Sequence, residues 1–177
     1  MAYLVLVRPV TLQDWSSFAQ VIGAIAVVIS LFYVGFQIKT NTSAVRSATA
    51  QAIHNNYADW YMNLMGDAEL TRTVLKGVRD YSSLDDGEKA QFIATFMAFM
   101  SFSQNAFYQW REKALSPWLW HGWELHVMNF LSAPGGKGFW KERGYVFGEE
   151  YRDYVEKVIM TKELPPEARP FGIYKTD

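Results

Sequence analysis

The sequence predicts an all-α protein in which an N-terminal transmembrane helix continues into a small helical-bundle soluble domain. Three observations carry that prediction. Positions 15–38 contain no charged residue; later apolar residues recur at helical rather than alternating spacing; and Ser, Asp, Gly and Pro punctuate the chain at helix-length intervals. Half of the 177 residues are apolar, with 7 Trp, 10 Tyr and 12 Phe, a composition that supports a real core and excludes a disordered chain. Beyond the apolar segment, about 140 residues suit one soluble domain.

Composition also narrows the function classes. A formal net charge of -1 provides no bulk attraction for nucleic acid, and the sequence shows no local basic run that would supply one. There is no cysteine, which removes disulfides, thiolate metal sites and cysteine nucleophiles.

The first eleven residues read as an extended arm: Tyr3 to Val7 is β-branched and aromatic and stops at Arg8-Pro9. Thr11 with Asp14 three positions later resembles a capping box and starts the first helix near Leu12. The transmembrane helix occupies 12–39. Its centre reads FAQVIGAIAVVISLFYVGF from Phe18 to Phe36, and about 20 such residues at 1.5 Å each span the roughly 30 Å hydrocarbon core. Trp15 at one end and Tyr33 and Phe36 at the other place aromatics at headgroup depth. A cleaved signal peptide fits poorly, because the run is long and continues into helix-compatible sequence without a small-residue cleavage site. Lys39 and Arg46 outweigh Arg8, offset by Asp14, so the expectation is a single-pass protein of the inner (cytoplasmic) membrane with its C-terminal domain in the cytoplasm. Gly23, Ala26 and Ser30 share one face of this helix and would allow another helix to approach closely.

Helical spacing continues through Ala44, Ala48, Ile53, Tyr57, Trp60 and Leu64, so a rigid helix to Met65 is expected, with Gly66 as its stop. The soluble domain is assigned to 40–161. Asp67 caps a helix over Ala68 to Arg79, and Asp80 to Ser83 forms a turn. Asp85 and Glu88 form a second capping box, opening a long helix from about Asp86 to Leu115. On it Phe92, Phe96, Phe99, Ser103, Phe107 and Trp110 share one face, widened by Ile93, Met97 and Met100. Its polar residues argue against a second membrane span. Ser116-Pro117 starts a tryptophan-rich helix that Ala133-Pro134-Gly135-Gly136 ends. Two short helices, about Gly138 to Tyr145 and Glu149 to Thr161, lead to an extended tail over 162–177.

Motifs with chemistry are sparse. His121 and His126 are five apart, off the spacing that places two ligands on one helix face, and the HExxH and ExxH patterns are absent. His121 and Glu124 can meet as an ordinary i, i+3 pair. Pro134 to Gly138 lacks the GxxxxGK[ST] spacing after a strand, and reads as a flexible helix-to-helix turn. No GxSxG elbow is present. The chain is therefore expected to be no enzyme and to need no cofactor or metal. Trp118, Trp120 and Trp123 are the least ordinary soluble feature; they read mainly as core, or else as a docking surface for a partner or membrane.

The stretch Ser30 to Gln51, SLFYVGFQIKTNTSAVRSATAQ, resembles an uncharacterised family of bacterial membrane proteins with an N-terminal anchor. Their pattern SL.Y...QI..NT.A.R..T.Q is matched by Ser30, Leu31, Tyr33, Gln37, Ile38, Asn41, Thr42, Ala44, Arg46, Thr49 and Gln51. The segment Asn105 to Glu112 looks similar too, and the arm before Thr11 is an addition to the pattern. The resemblance implies a bacterial origin and the anchored topology, and brings no catalytic residues.

Two functional expectations follow. One is a non-catalytic accessory or scaffold subunit docking on a larger integral-membrane complex, such as a bioenergetic one. The other is a membrane-tethered sensor holding a small apolar or lipid ligand in an aromatic pocket lined by Phe96, Phe99, Trp110 and Trp123.

Overall fold

A computed structural model describes residues 11–165, and every described element is helical. The expected arm and most of the expected tail lie outside the described residues, as does the Asp14 side chain of the expected first cap. The chain divides into two units between Val45 and Arg46. Helix α1, Leu12–Gly66, contributes to both.

In the first unit, every described side chain of α1 is exposed. The apolar residues cover all sides of the helix rather than one stripe. Several of its hydroxyls are satisfied by the helix itself: Ser30 Oγ donates to the Ala26 carbonyl at 2.8 Å and Thr42 Oγ1 to the Ile38 carbonyl at 2.8 Å, so these two groups need no outside partner. This helix is long and apolar enough to cross a membrane.

The second unit is a helical bundle around one aromatic core. The last turns of α1 enter it through Ile53, Trp60 and Leu64, and Trp60 Nε1 donates to the Thr95 carbonyl at 2.9 Å. Helix α2, Ala68–Arg79, is capped by Asp67, whose carboxylate accepts from the Glu69 and Leu70 N–H groups. The Thr71 hydroxyl reaches back to the Leu64 carbonyl at 2.6 Å and closes the corner. Asp80 caps a short 3-10 turn, Tyr81–Ser83. Helix α3, Asp86–Arg111, opens with both bonds of the Asp85–Glu88 capping box in place. Phe92, Phe96, Phe99, Ser103 and Phe107 are buried along it. Phe96 stacks on Phe130 of α4, Pro117–Ser132, with ring centroids 3.8 Å apart.

Three boundaries differ from expectation, each for a local reason. Helix α3 stops at Arg111, short of Leu115. The Lys113 N–H bonds the Trp110 carbonyl at 2.9 Å and the Ala114 N–H bonds the Gln109 carbonyl at 2.8 Å, the paired bonds of a Schellman ending. Lys113 holds the left-handed position of that motif, φ 59°, where glycine is usual. The expected turn Pro134 to Gly138 is instead the start of helix α5, Pro134–Arg143, with proline at its first position. Its glycines serve close packing, not flexibility: a Cβ on Gly135 would lie 2.1 Å from the Gly77 carbonyl oxygen of α2, and one on Gly136 1.9 Å from the Phe130 carbonyl oxygen. After a 3-10 turn, Gly144–Val146, the last expected helix divides into α6, Glu149–Tyr154, and a π turn, Val155–Ile159. The wide turn closes through the Met160 N–H to the Val155 carbonyl at 2.8 Å, and Tyr151, Val155 and Ile159 all face the core.

Candidate functional site

The tryptophan triplet separates. Trp118 is 74% exposed, whereas Trp120 and Trp123 are 3% and 8% exposed. On α4 they fall at i, i+2 and i+5, and only the latter two turn inward. Trp120 stacks on Trp110 at 5.5 Å and donates from Nε1 to the Tyr154 hydroxyl at 3.2 Å. Trp123 meets Tyr57 edge-on at 5.1 Å. The expected docking surface is thus corrected to Trp118, because both its neighbours have ring partners in the core. On the membrane-helix face, nothing lies within 4 Å of a Cβ built on Gly23, and the Ser30 hydroxyl is turned onto the Ala26 carbonyl. That leaves a low surface along one side of α1.

The aromatic pocket expected for a sensor takes another form. Phe96, Phe99 and Trp123 are buried in mutual ring contact: Phe96 with Phe99 at 6.2 Å, Phe99 with Trp123 at 6.3 Å. Of the four, Trp110 and Trp123 border surface grooves, two different ones, and Phe96 and Phe99 border neither.

A polar cluster centred on Glu124 ties the C-terminal segment to α4. Its carboxylate is buried and accepts from the Tyr154 hydroxyl at 2.5 Å and Lys162 Nζ at 2.7 Å, with His121 Nδ1 at 3.4 Å. Burial alone would raise this carboxyl, but the bonds from Lys162 and Tyr154 and the Lys162 charge hold it below the usual carboxylate range. Tyr154 is pushed up to about 12, first by burial and then by the bond to Glu124. A carboxylate so fully engaged is a structural clasp. The sequence reading paired His121 with Glu124 but missed Tyr154 and Lys162, whose distance along the chain leaves no spacing signal. Among the described residues, no three His, Asp or Glu side chains gather to hold a metal ion.

A groove of about 680 Å³ lies where the second unit's part of α1, the α3 ending and the start of α4 converge. Arg46, Arg111 and Lys113 line it together with Trp110, Ser116 and Leu119. No ion pair within 4 Å engages any of the three cations among the described residues. The Schellman ending turns the chain so that Arg111 and Lys113 both border the groove. The N-terminus of α4, with its partial positive charge, opens on the same wall; Ser116 makes no side-chain cap bond there, and its buried hydroxyl has no partner among the described residues. The sequence showed no basic patch because Arg46 is far from the other two in the chain. Folding makes one. An adjoining groove of about 290 Å³ shares Ala50, Leu115 and Leu119 with the first and continues over Ile53, Tyr57 and Trp123. His54 and His126 border it, and burial holds His126 below the usual imidazole range.

No family model, curated protein or solved structure matches the chain.

Proposed function

We propose that this is a single-pass membrane protein acting as a non-catalytic accessory or scaffold subunit of a larger integral-membrane assembly. The observation that carries the reading is the contrast within α1. From Trp15 to Ile38 the helix is apolar and exposed on every side, a state that water disfavours strongly and lipid favours. The domain beyond it has a closed aromatic core and commits Glu124, the one buried carboxylate among the described residues, to structural hydrogen bonds. A low face at Gly23, Ala26 and Ser30 suits close contact with another membrane helix, since van der Waals packing drives helix association in lipid. The resemblance to anchored bacterial proteins agrees with this topology and with an inner-membrane location, the domain lying on the cytoplasmic side.

Photo-crosslinkers placed at Gly23 or Ala26, and on the opposite face at Val28 or Phe32, test the docking in native membranes. A discrete adduct with one membrane protein from the first face alone is expected. A strictly solitary monomer from both faces would sink the accessory-subunit reading.

A further inference from the structure

We propose that the groove bordered by Arg46, Arg111 and Lys113 holds the phosphate-bearing headgroup of an anionic phospholipid, with part of an acyl chain along the adjoining apolar groove. The inference rests on the reading of α1 as a membrane span, and it places the headgroup in a surface groove outside the ring contacts of Phe96 and Phe99.

Four features of the site converge on an anionic amphiphile. Among the described residues, the three cations lack carboxylate partners within ion-pairing distance, so an incoming phosphate meets charge that those residues leave unneutralised. The α4 N-terminus adds its dipole to the same wall, and behind it the buried Ser116 hydroxyl has no hydrogen-bond partner among the described residues. The apolar groove that shares Ala50, Leu115 and Leu119 with the basic one supplies what a free phosphate would not use and a lipid tail would. Trp118, the exposed tryptophan of α4, falls in sequence between Pro117 and Leu119 of the groove lining and offers a ring of the kind that favours headgroup depth.

Reach is assured by the covalent chain. Arg46 follows Lys39 by seven positions, which at full extension is about 25 Å; whatever the orientation of the domain, Arg46 cannot leave the neighbourhood of the bilayer surface. There, each Lys or Arg gains from the negative potential of anionic lipids.

The lysine at the left-handed position of the α3 ending gives independent support. A side chain with a Cβ is disfavoured at φ 59°, and glycine would be unstrained. Lys113 is a poorer residue than glycine for the turn and a better one for holding an anion, and strain of this kind gathers at functional sites.

The full chain, purified in mild detergent, is titrated with phosphatidylglycerol, phosphatidylcholine or inorganic phosphate, and bound lipid is counted by native mass spectrometry. One retained phosphatidylglycerol is expected, with a preference over phosphatidylcholine on the order of tenfold or more. Raising the ionic strength should weaken that preference. Arg46→Gln/Arg111→Gln/Lys113→Gln should abolish it. Lys113→Gly should weaken it while the domain melts no lower than wild type, an outcome that a purely structural lysine would not produce. Equal retention of the two lipids, or an undiminished preference in Lys113→Gly and the triple variant, overturns the proposal. Inorganic phosphate displacing phosphatidylglycerol at equal concentration assigns the groove to free phosphate and overturns the lipid. Alkaline carbonate extraction of membranes tests the span separately: release of the chain defeats the anchor, whereas retention with no lipid preference defeats only the groove.

Discussion

Residues Phe18 to Phe36 and Phe92 to Trp110 are both rich in apolar and aromatic side chains, yet the first stretch exposes all of its apolar groups and the second buries or half-buries all of its own except Ala94. The difference lies in distribution around the helix. In the first stretch Phe18, Val21, Ile25, Val28, Phe32 and Phe36 sit among apolar neighbours on every side, so one protein surface could cover only a fraction of them. In α3, Gln91, Ser101, Asn105 and Gln109 hold one side for water and the phenylalanines hold the other for α4. The same chemistry is therefore arranged differently in each region: the second packs against protein, whereas the first is apolar all round and long enough to cross a membrane.

Phe96→Ala is the strongest way to break the contrast. It removes the ring stacked on Phe130 and should cost about 3–5 kcal/mol, read as a large fall in the urea midpoint of the soluble domain with membrane retention unchanged. Val28→Arg probes the other region: a charge at the centre of a span costs about 2.5–3.5 kcal/mol on insertion scales, so a falling membrane-bound fraction is expected while the domain's unfolding midpoint stays in place. If Val28→Arg leaves retention intact, α1 is not lipid-embedded. Gly135→Ala sharpens the core side. With Gly77's carbonyl in the way of a methyl group, α5 must move off α2, at about 1–3 kcal/mol. Glu124→Gln is the smallest, about 1–2 kcal/mol, because Lys162 is partly exposed and can return to water when its partner is neutral. Since folding holds the Glu124 pKa below its ordinary 4.5, its ionised form stabilises the fold above that pH. The contribution is lost as pH falls below 4.5 and through the depressed folded value. Urea unfolding at several pH values should show wild type and Glu124→Gln converging on the acid side.

Local signals were legible and distant ones were not. Asp67, Gly66 and the Asp85–Glu88 box mark helix ends through hydrogen bonds a few residues long, and the structure places those ends where the residues say. The phenylalanine face of α3 is equally local, since one helix period defines it. The ending at Lys113 was hidden because lysine stands where glycine is the usual signal. Pro134-Gly135-Gly136 reads as a turn by composition, and only contact with Gly77 and Phe130 explains why glycines serve a helix there. Both polar features of the second unit are long-range: Glu124 meets Tyr154 and Lys162, and Arg46 meets the groove of Arg111 and Lys113, through folding alone. A chain read for runs of charge therefore shows no basic patch.

The π turn at Val155–Ile159 has a consequence for insertions and deletions. It holds one residue more than an α-helical path between Tyr151 and Ile159 requires. Deleting the exposed Lys157 would shorten that interval to seven residues, which at 100° each is nearly two full α-turns and keeps Ile159 facing inward. The loss would be the exposed pair with Asp153, worth little. A chain one residue shorter here should thus keep its melting temperature within a few degrees, and residues after Ile159, Lys162 with them, should keep their phase. The same deletion at Phe96 would turn every later core position of α3 by 100°. Length, usually the least negotiable property of a packed helix, is at this one place nearly free to vary.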